Sequence, residues 1–110
     1  MIDWKRVQEL RDEIGDDGFV EVADMFLDEA EQAVAALVAG VPATEIEGQL
    51  HFLKGSALNL GLADLAMVCH EGERAAALGQ ASKVDAGQIA AVYQASRNAL
   101  LARLNQVSAA

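Results

Sequence analysis

The residues with the clearest chemical potential lie in one short stretch, Glu47-Gly48-Gln49-Leu50-His51-Phe52-Leu53-Lys54-Gly55. An imidazole with an ordinary pKa of about 6.5 is mostly unprotonated at neutral pH, so His51 can act as a nucleophile without an activating base. Lys54 follows one helical turn later. There an ammonium would stabilise an oxyanion such as a phosphoryl group on the ring without competing for its proton, although a solvated lysine on an exposed face would fit the same spacing. Gly48 and Gly55 bracket the histidine by one turn on either side. A glycine inside a helix costs about 1 kcal/mol relative to alanine, so two on one face call for a reason. One reason would be close approach of a neighbouring helix. The other is a bare surface on which a partner's backbone or active-site loop can come within bonding distance of the imidazole.

Other candidates are weaker. His70, flanked by Cys69 and Glu71, lacks the Lys-Gly that follows His51. Two histidines and one cysteine without a Glu-x-x-His repeat fall short of a metal site in a helical bundle, so no metal is expected. Cys69 falls on the apolar side of its segment and reads as core. The chain contains no Gly-x-x-x-x-Gly-Lys-Ser/Thr loop, so nothing in it is suited to draw phosphate from ATP.

The elements that must position these residues are helices. Asp3 is an N-cap candidate for a short helix carrying Val7, Leu10 and Ile14, broken by Gly15-Asp16-Asp17-Gly18. Val20, Ala23, Leu27, Ala30, Val34 and Leu37 then alternate spacings of three and four, predicting a long second helix that ends at Gly40. Phe19, Met25 and Phe26 follow helical spacing beside that arc, and most of them are expected in the core. After Val41-Pro42-Ala43, Thr44 and Glu47 form a capping-box pattern for a third helix reaching Leu60. Its arc of Ile46, Leu50, Leu53, Ala57 and Leu60 turns His51 away from the core. Glu47, Gly48, Lys54, Gly55 and Leu58 share the histidine's side, with Leu62 continuing the line past Gly61. Leu58 and Leu62 are therefore expected as the apolar centre of a transient interface, or alternatively as cover for the bundle end. A fourth helix with Leu62, Leu65, Ala66, Cys69, Ala76 and Leu78 stops at Gly79. A fifth begins near Asp85 with Ile89, Val92, Ser96, Leu100, Leu104 and Val107 inward. Short connections between long helices make neighbours antiparallel. The expected fold is all-α: an up-and-down four-helix bundle with an additional short N-terminal helix across one end, one domain over 1–110.

Composition agrees. Apolar residues make up 53% of the chain but aromatics only 5%, which suits close-packed helices rather than a sheet core. Eight basic against seventeen acidic residues give a net charge of −9, a field that repels nucleic acid and anionic membrane surfaces. No apolar run approaches the roughly 20 residues that span a bilayer, and the N-terminus is charged where a signal peptide is apolar. A cytoplasmic protein is expected, and its lone cysteine fits a reducing compartment.

His51-Phe52-Leu53-Lys54-Gly55-Ser56-Ala57-Leu58-Asn59-Leu60-Gly61 resembles the signature of the histidine-containing phosphotransfer (HPt) domain family of multistep two-component signalling, a His-x-Leu-Lys-Gly run followed by small residues, a hydrophobic residue and glycine. Leu65, Cys69 and Glu73 extend the resemblance into the next helix, and the chain length and helix count agree. The resemblance implies that His51 accepts a phosphoryl group from a receiver-domain aspartate and passes it to another receiver domain. It also implies that Lys54 binds the phosphoryl oxygens, that Gly55 gives the partner clearance, and that Glu73 orients the ring. Gly72 departs from the family's usual bulky apolar residue at that place. Receiver domains, and a hybrid sensor histidine kinase, are the partners implied. No cofactor is expected on this chain, since the receiver carries the Mg²⁺ of phosphoryl transfer. The chain is expected to be no kinase itself, and a monomer is favoured with the oligomeric state left open. A non-transferring helical adaptor and a small metal-binding bundle are the competing classes.

Overall fold

The computed structural model describes the backbone of residues 2–109 and the side chains of residues 2–104. Its elements are α1 (Trp4–Ala39), α2 (Ala43–Leu60), α3 (Ala63–Ala77), a short 3-10 turn (Ala81–Lys83) and α4 (Ala86–Ala109), with no strand among the described residues. The bundle is elongated, 47 × 21 × 20 Å.

Helix α1 contains both of the first two helices expected from the sequence, joined at a sharp bend rather than by a loop. Only Gly15 leaves helical geometry, at φ 79° and ψ 165°, a region essentially restricted to glycine. Asp16, Asp17 and Gly18, expected as part of the break, are already helical. Two aspartates at the start of the second arm suit the positive end of its dipole, and Arg11 ties the bend by donating to Asp16 Oδ1 from Nη2 at 2.9 Å. Phe19 continues the buried arc and is fully enclosed, whereas Val20 is half exposed, as are Ile14 and Met25. The aromatic ring gains more by burial and also lies under the Arg11 guanidinium, 5.9 Å from its centroid.

The short arm before Gly15 lies on one end of the bundle. Asp3 caps it by accepting from the Arg6 N–H, as its type and place predict. Asp3 N–H also donates to Gly61 O at 2.7 Å, and Arg6 Nε donates to Asn59 O at 3.2 Å, fastening the arm to the α2–α3 turn. Ile2, Val7 and Leu10 are buried there.

Helix α2 starts two residues earlier than the capping box requires. Pro42 is its N-cap, no side chain caps it, and Thr44 lies inside the first turn. Its C-terminus is a Schellman turn: Gly61, at φ 76°, donates to Leu58 O, and Leu62 N–H donates to Ala57 O at 2.8 Å. That turn corrects one expectation. Leu62 does not continue the exposed line of His51 but is driven inward beside Ala57, with 1% of its surface exposed. Leu78, one of the apolar residues that marked the fourth helix in the sequence, falls at the C-cap of α3 and is exposed.

Helix α4 opens on Asp85, which accepts from Gln88 N–H. Ile89, Ser96 and Leu100 are buried as predicted, Val92 and Leu104 partly so, and the Val107 side chain lies outside the described residues. Tyr93, absent from the predicted stripe, is also buried and donates its hydroxyl to Leu27 O at 3.0 Å, joining α4 to α1.

Candidate functional site

Leu50, Leu53, Ala57 and Leu60 are buried to within 1% of full enclosure, and this fixes the rotation of α2. His51, about 100° round the helix from Leu50, consequently projects from the ridge with 71% of its side chain exposed. Its Nδ1 lies 2.8 Å from Glu73 Oε1 on α3. A carboxylate can only accept, so Nδ1 carries the proton and the lone pair resides on Nε2.

Glu73 reaches the ring because α3 lies close against α2 at Gly72. A Cβ on Gly72 would stand 2.8 Å from Leu50 Cδ1 and 3.6 Å from Val84. The residue that departs from the family pattern is thus a point of close approach between the two helices, one position before Glu73. The other carboxylate oxygen, Oε2, is sealed from solvent with Lys54 Nζ at 2.7 Å, a contact closer in character to an ion pair than to a directed hydrogen bond. The Lys54 ammonium, with a smaller contribution from the His51 ring, holds the Glu73 carboxyl below its usual range against the opposing effect of burial. Glu73 is thus a charged bridge between His51 and Lys54. The spacing of Lys54 in sequence places it beside the histidine, but its ammonium is engaged by the glutamate.

Beneath this bridge Cys69, one turn before Glu73, is fully buried. Burial pushes its thiol up to about 12, aided by the negative charge of Glu73, so it is a neutral packing group at physiological pH. His70 is exposed on α3 and lines a shallow apolar groove with Lys54, Leu58 and Met67. Among the described residues no group of three or more His, Cys, Asp or Glu side chains is disposed to hold a metal ion.

The two glycines are resolved by the space around them. A Cβ at Gly48 or at Gly55 would meet nothing within 4 Å, so neither admits a neighbouring helix of this chain. With Glu47 and Leu58 they leave an exposed surface around the histidine. Sequence reasoning missed Phe52 as part of this surface. Its ring is 47% exposed and lies outside the apolar arc of α2, which was the available signal.

A helical bundle that presents an exposed imidazole braced by a carboxylate on the next helix has the parts of a histidine-based carrier. The chain belongs to the Hpt domain family, whose model matches residues 21–110. Hpt domains carry phosphoryl groups on histidine in phosphorelays, interact with receiver domains and histidine kinases, and are carriers rather than kinases. No curated protein and no solved structure matched the chain. No helix among the described residues is long and apolar enough to cross a membrane.

Proposed function

We propose that His51 is the phosphoryl acceptor of a relay, taking the group from the aspartyl phosphate of one receiver domain and giving it to the aspartate of another. The observation that carries this reading is the 2.8 Å contact between His51 Nδ1 and Glu73, made while the ring stays exposed. It holds the tautomer in which the outer nitrogen, Nε2, has the lone pair. In the forward step that lone pair attacks phosphorus, the P–O bond to the donor aspartate breaks, and the aspartate leaves as carboxylate. The ring gains positive charge as the P–N bond forms, and the Nδ1 proton shares that charge with Glu73. Transfer onward reverses each movement, with the acceptor aspartate oxygen attacking and the P–N bond breaking.

Lys54 stands one turn from the ring and neutralises Glu73 before transfer; a phosphoryl group on Nε2 would offer its ammonium a second anionic partner. Mg²⁺ belongs to the receiver in this scheme, and the chain supplies neither metal nor nucleotide. Donors and acceptors in this proposal are receiver domains, one of them carried by a hybrid sensor histidine kinase in the cytoplasm. Ile2, Val7, Leu10 and Phe19, which precede the matched span, are buried in the same core, which supports one phosphotransfer domain over 1–110.

Incubation with a phosphorylated receiver domain should place an acid-labile, base-stable phosphate on the chain, and His51→Gln should abolish it. Label retained by that variant would refute the assignment.

A further inference from the structure

On the phosphotransfer reading, a partner must be oriented at His51 as well as bound, and the charge around the ring is uneven. Nine of the seventeen acidic residues lie between Asp12 and Glu31, a segment with no lysine or arginine, while the other eight are matched by eight bases. The entire net charge of −9 is therefore carried by one segment, most of it the long arm of α1. That arm packs against α2, and along their seam runs an open groove of about 390 Å³ lined by Glu29, Gln32, Ala36, Gln49 and Phe52. A second depression continues it past Phe52 and Gln49 to Glu45 and Gly48.

The groove is continuous with the histidine. Counting 100° per residue around α2, Gly55 and Gly48 fall roughly 40° and 60° from His51, and Phe52 roughly 100° in the same sense. The bare strip thus leads from the imidazole to the Phe52 groove, with nothing within 4 Å of either glycine's missing side chain. On the opposite flank, toward α3, the groove beside Leu58 and Met67 contains Lys54, whose charge is neutralised by Glu73. The two flanks of His51 differ in charge: acidic toward α1, near neutral toward α3.

We propose that the α1–α2 groove is the specificity surface for the receiver partner, and that it takes a cationic element of that partner, a lysine or arginine flanked by apolar side chains. The aliphatic stem packs on Phe52 while the charged head meets Glu29 and Glu45. The glycine strip lets the partner's backbone bridge from there to the imidazole. Electrostatic attraction of this kind raises association rates and fixes orientation more than it raises affinity.

The test charges each protein at His51 with potassium phosphoramidate, quantifies the phosphohistidine, and then mixes it with isolated receiver domains of the source organism. The receiver that takes the group fastest from the wild-type chain serves as the probe. Glu29→Lys and Glu45→Lys should each lower the second-order transfer rate about tenfold at low salt and flatten its salt dependence. Phe52→Ser should lower the rate with the salt dependence retained. Glu13→Lys, the same charge change on the short arm, should leave the rate within about twofold. Transfer unaffected by Glu29→Lys and Glu45→Lys, or slowed equally by Glu13→Lys, would overturn the groove assignment while leaving His51 as the carrier. Failure of His51 to take the group from phosphoramidate, or of every receiver to take it from His51, would refute the phosphotransfer reading and the groove with it.

Discussion

At the level of single residues, Glu73 connects two groups that sequence spacing alone leaves separate. One oxygen holds the Nδ1 proton of His51 and the other meets Lys54, so the ring's tautomer and the lysine's position depend on one carboxylate. The folded protein holds that carboxyl below its ordinary value of 4.5, with the Lys54 ammonium as the main cause. The unfolded chain therefore binds more protons in acid. The stabilisation is complete above the ordinary value and is lost as pH falls through the lower folded one. Glu73→Gln should accordingly flatten that part of the acid-unfolding profile, and it should slow transfer by weakening the charge on the ring. A titration of stability by circular dichroism, with transfer kinetics beside it, checks both effects. Lys54→Ala should slow phosphotransfer by roughly ten- to a hundredfold while leaving the helical content intact, because an electrostatic contact to the transferring group is removed.

Helices α2 and α3 turn these residues into a site, and their glycines do opposite things. Gly48 and Gly55 face open space, so alanine at either should stabilise the protein by up to about 1 kcal/mol, as helix propensity alone would predict. A thermal melt reads that gain, and a bulky residue at Gly55 should slow transfer without lowering the melting temperature. Gly72 is different: a methyl group there would collide with buried Leu50, so Gly72→Ala should cost about 1–3 kcal/mol and push Glu73 away from His51. Loss of the imidazole tautomer preference in ¹⁵N NMR would register the displacement. The outward rotation of His51 was readable from Leu50, Leu53, Ala57 and Leu60, because a helix with a single apolar arc has only one way to face a core. Leu62 was misread because periodicity continues a helix line past a glycine, whereas the left-handed turn at Gly61 redirects it. Glu73 came from resemblance rather than from periodicity, and its bond to Lys54 depends on packing between two helices that no spacing within either one encodes.

For the molecule as a whole, local signals settled the helices and their order, and long-range packing settled the rest. Asp3, Gly40, Gly61, Gly79 and Asp85 mark element ends in the sequence and mark them in the structure. The bend at Gly15 was narrower than its glycines and aspartates suggested, since three of the four residues rejoin the helix. Tyr93 was missed because its burial depends on a hydroxyl partner on α1. The bend itself is testable: Gly15 sits where other residues are strained although there is ample space, so Gly15→Ala should cost about 1–3 kcal/mol through the backbone alone. Denaturant unfolding would measure it. In the proposed relay this bundle passes a phosphoryl group through His51 between two other proteins. The most direct measurement is a chase in which a ³²P-labelled donor receiver domain is mixed with this chain and an acceptor receiver domain. Label should move from donor to chain to acceptor, and His51→Gln should leave it on the donor. Equal labelling of the acceptor in the presence of His51→Gln would contradict the account.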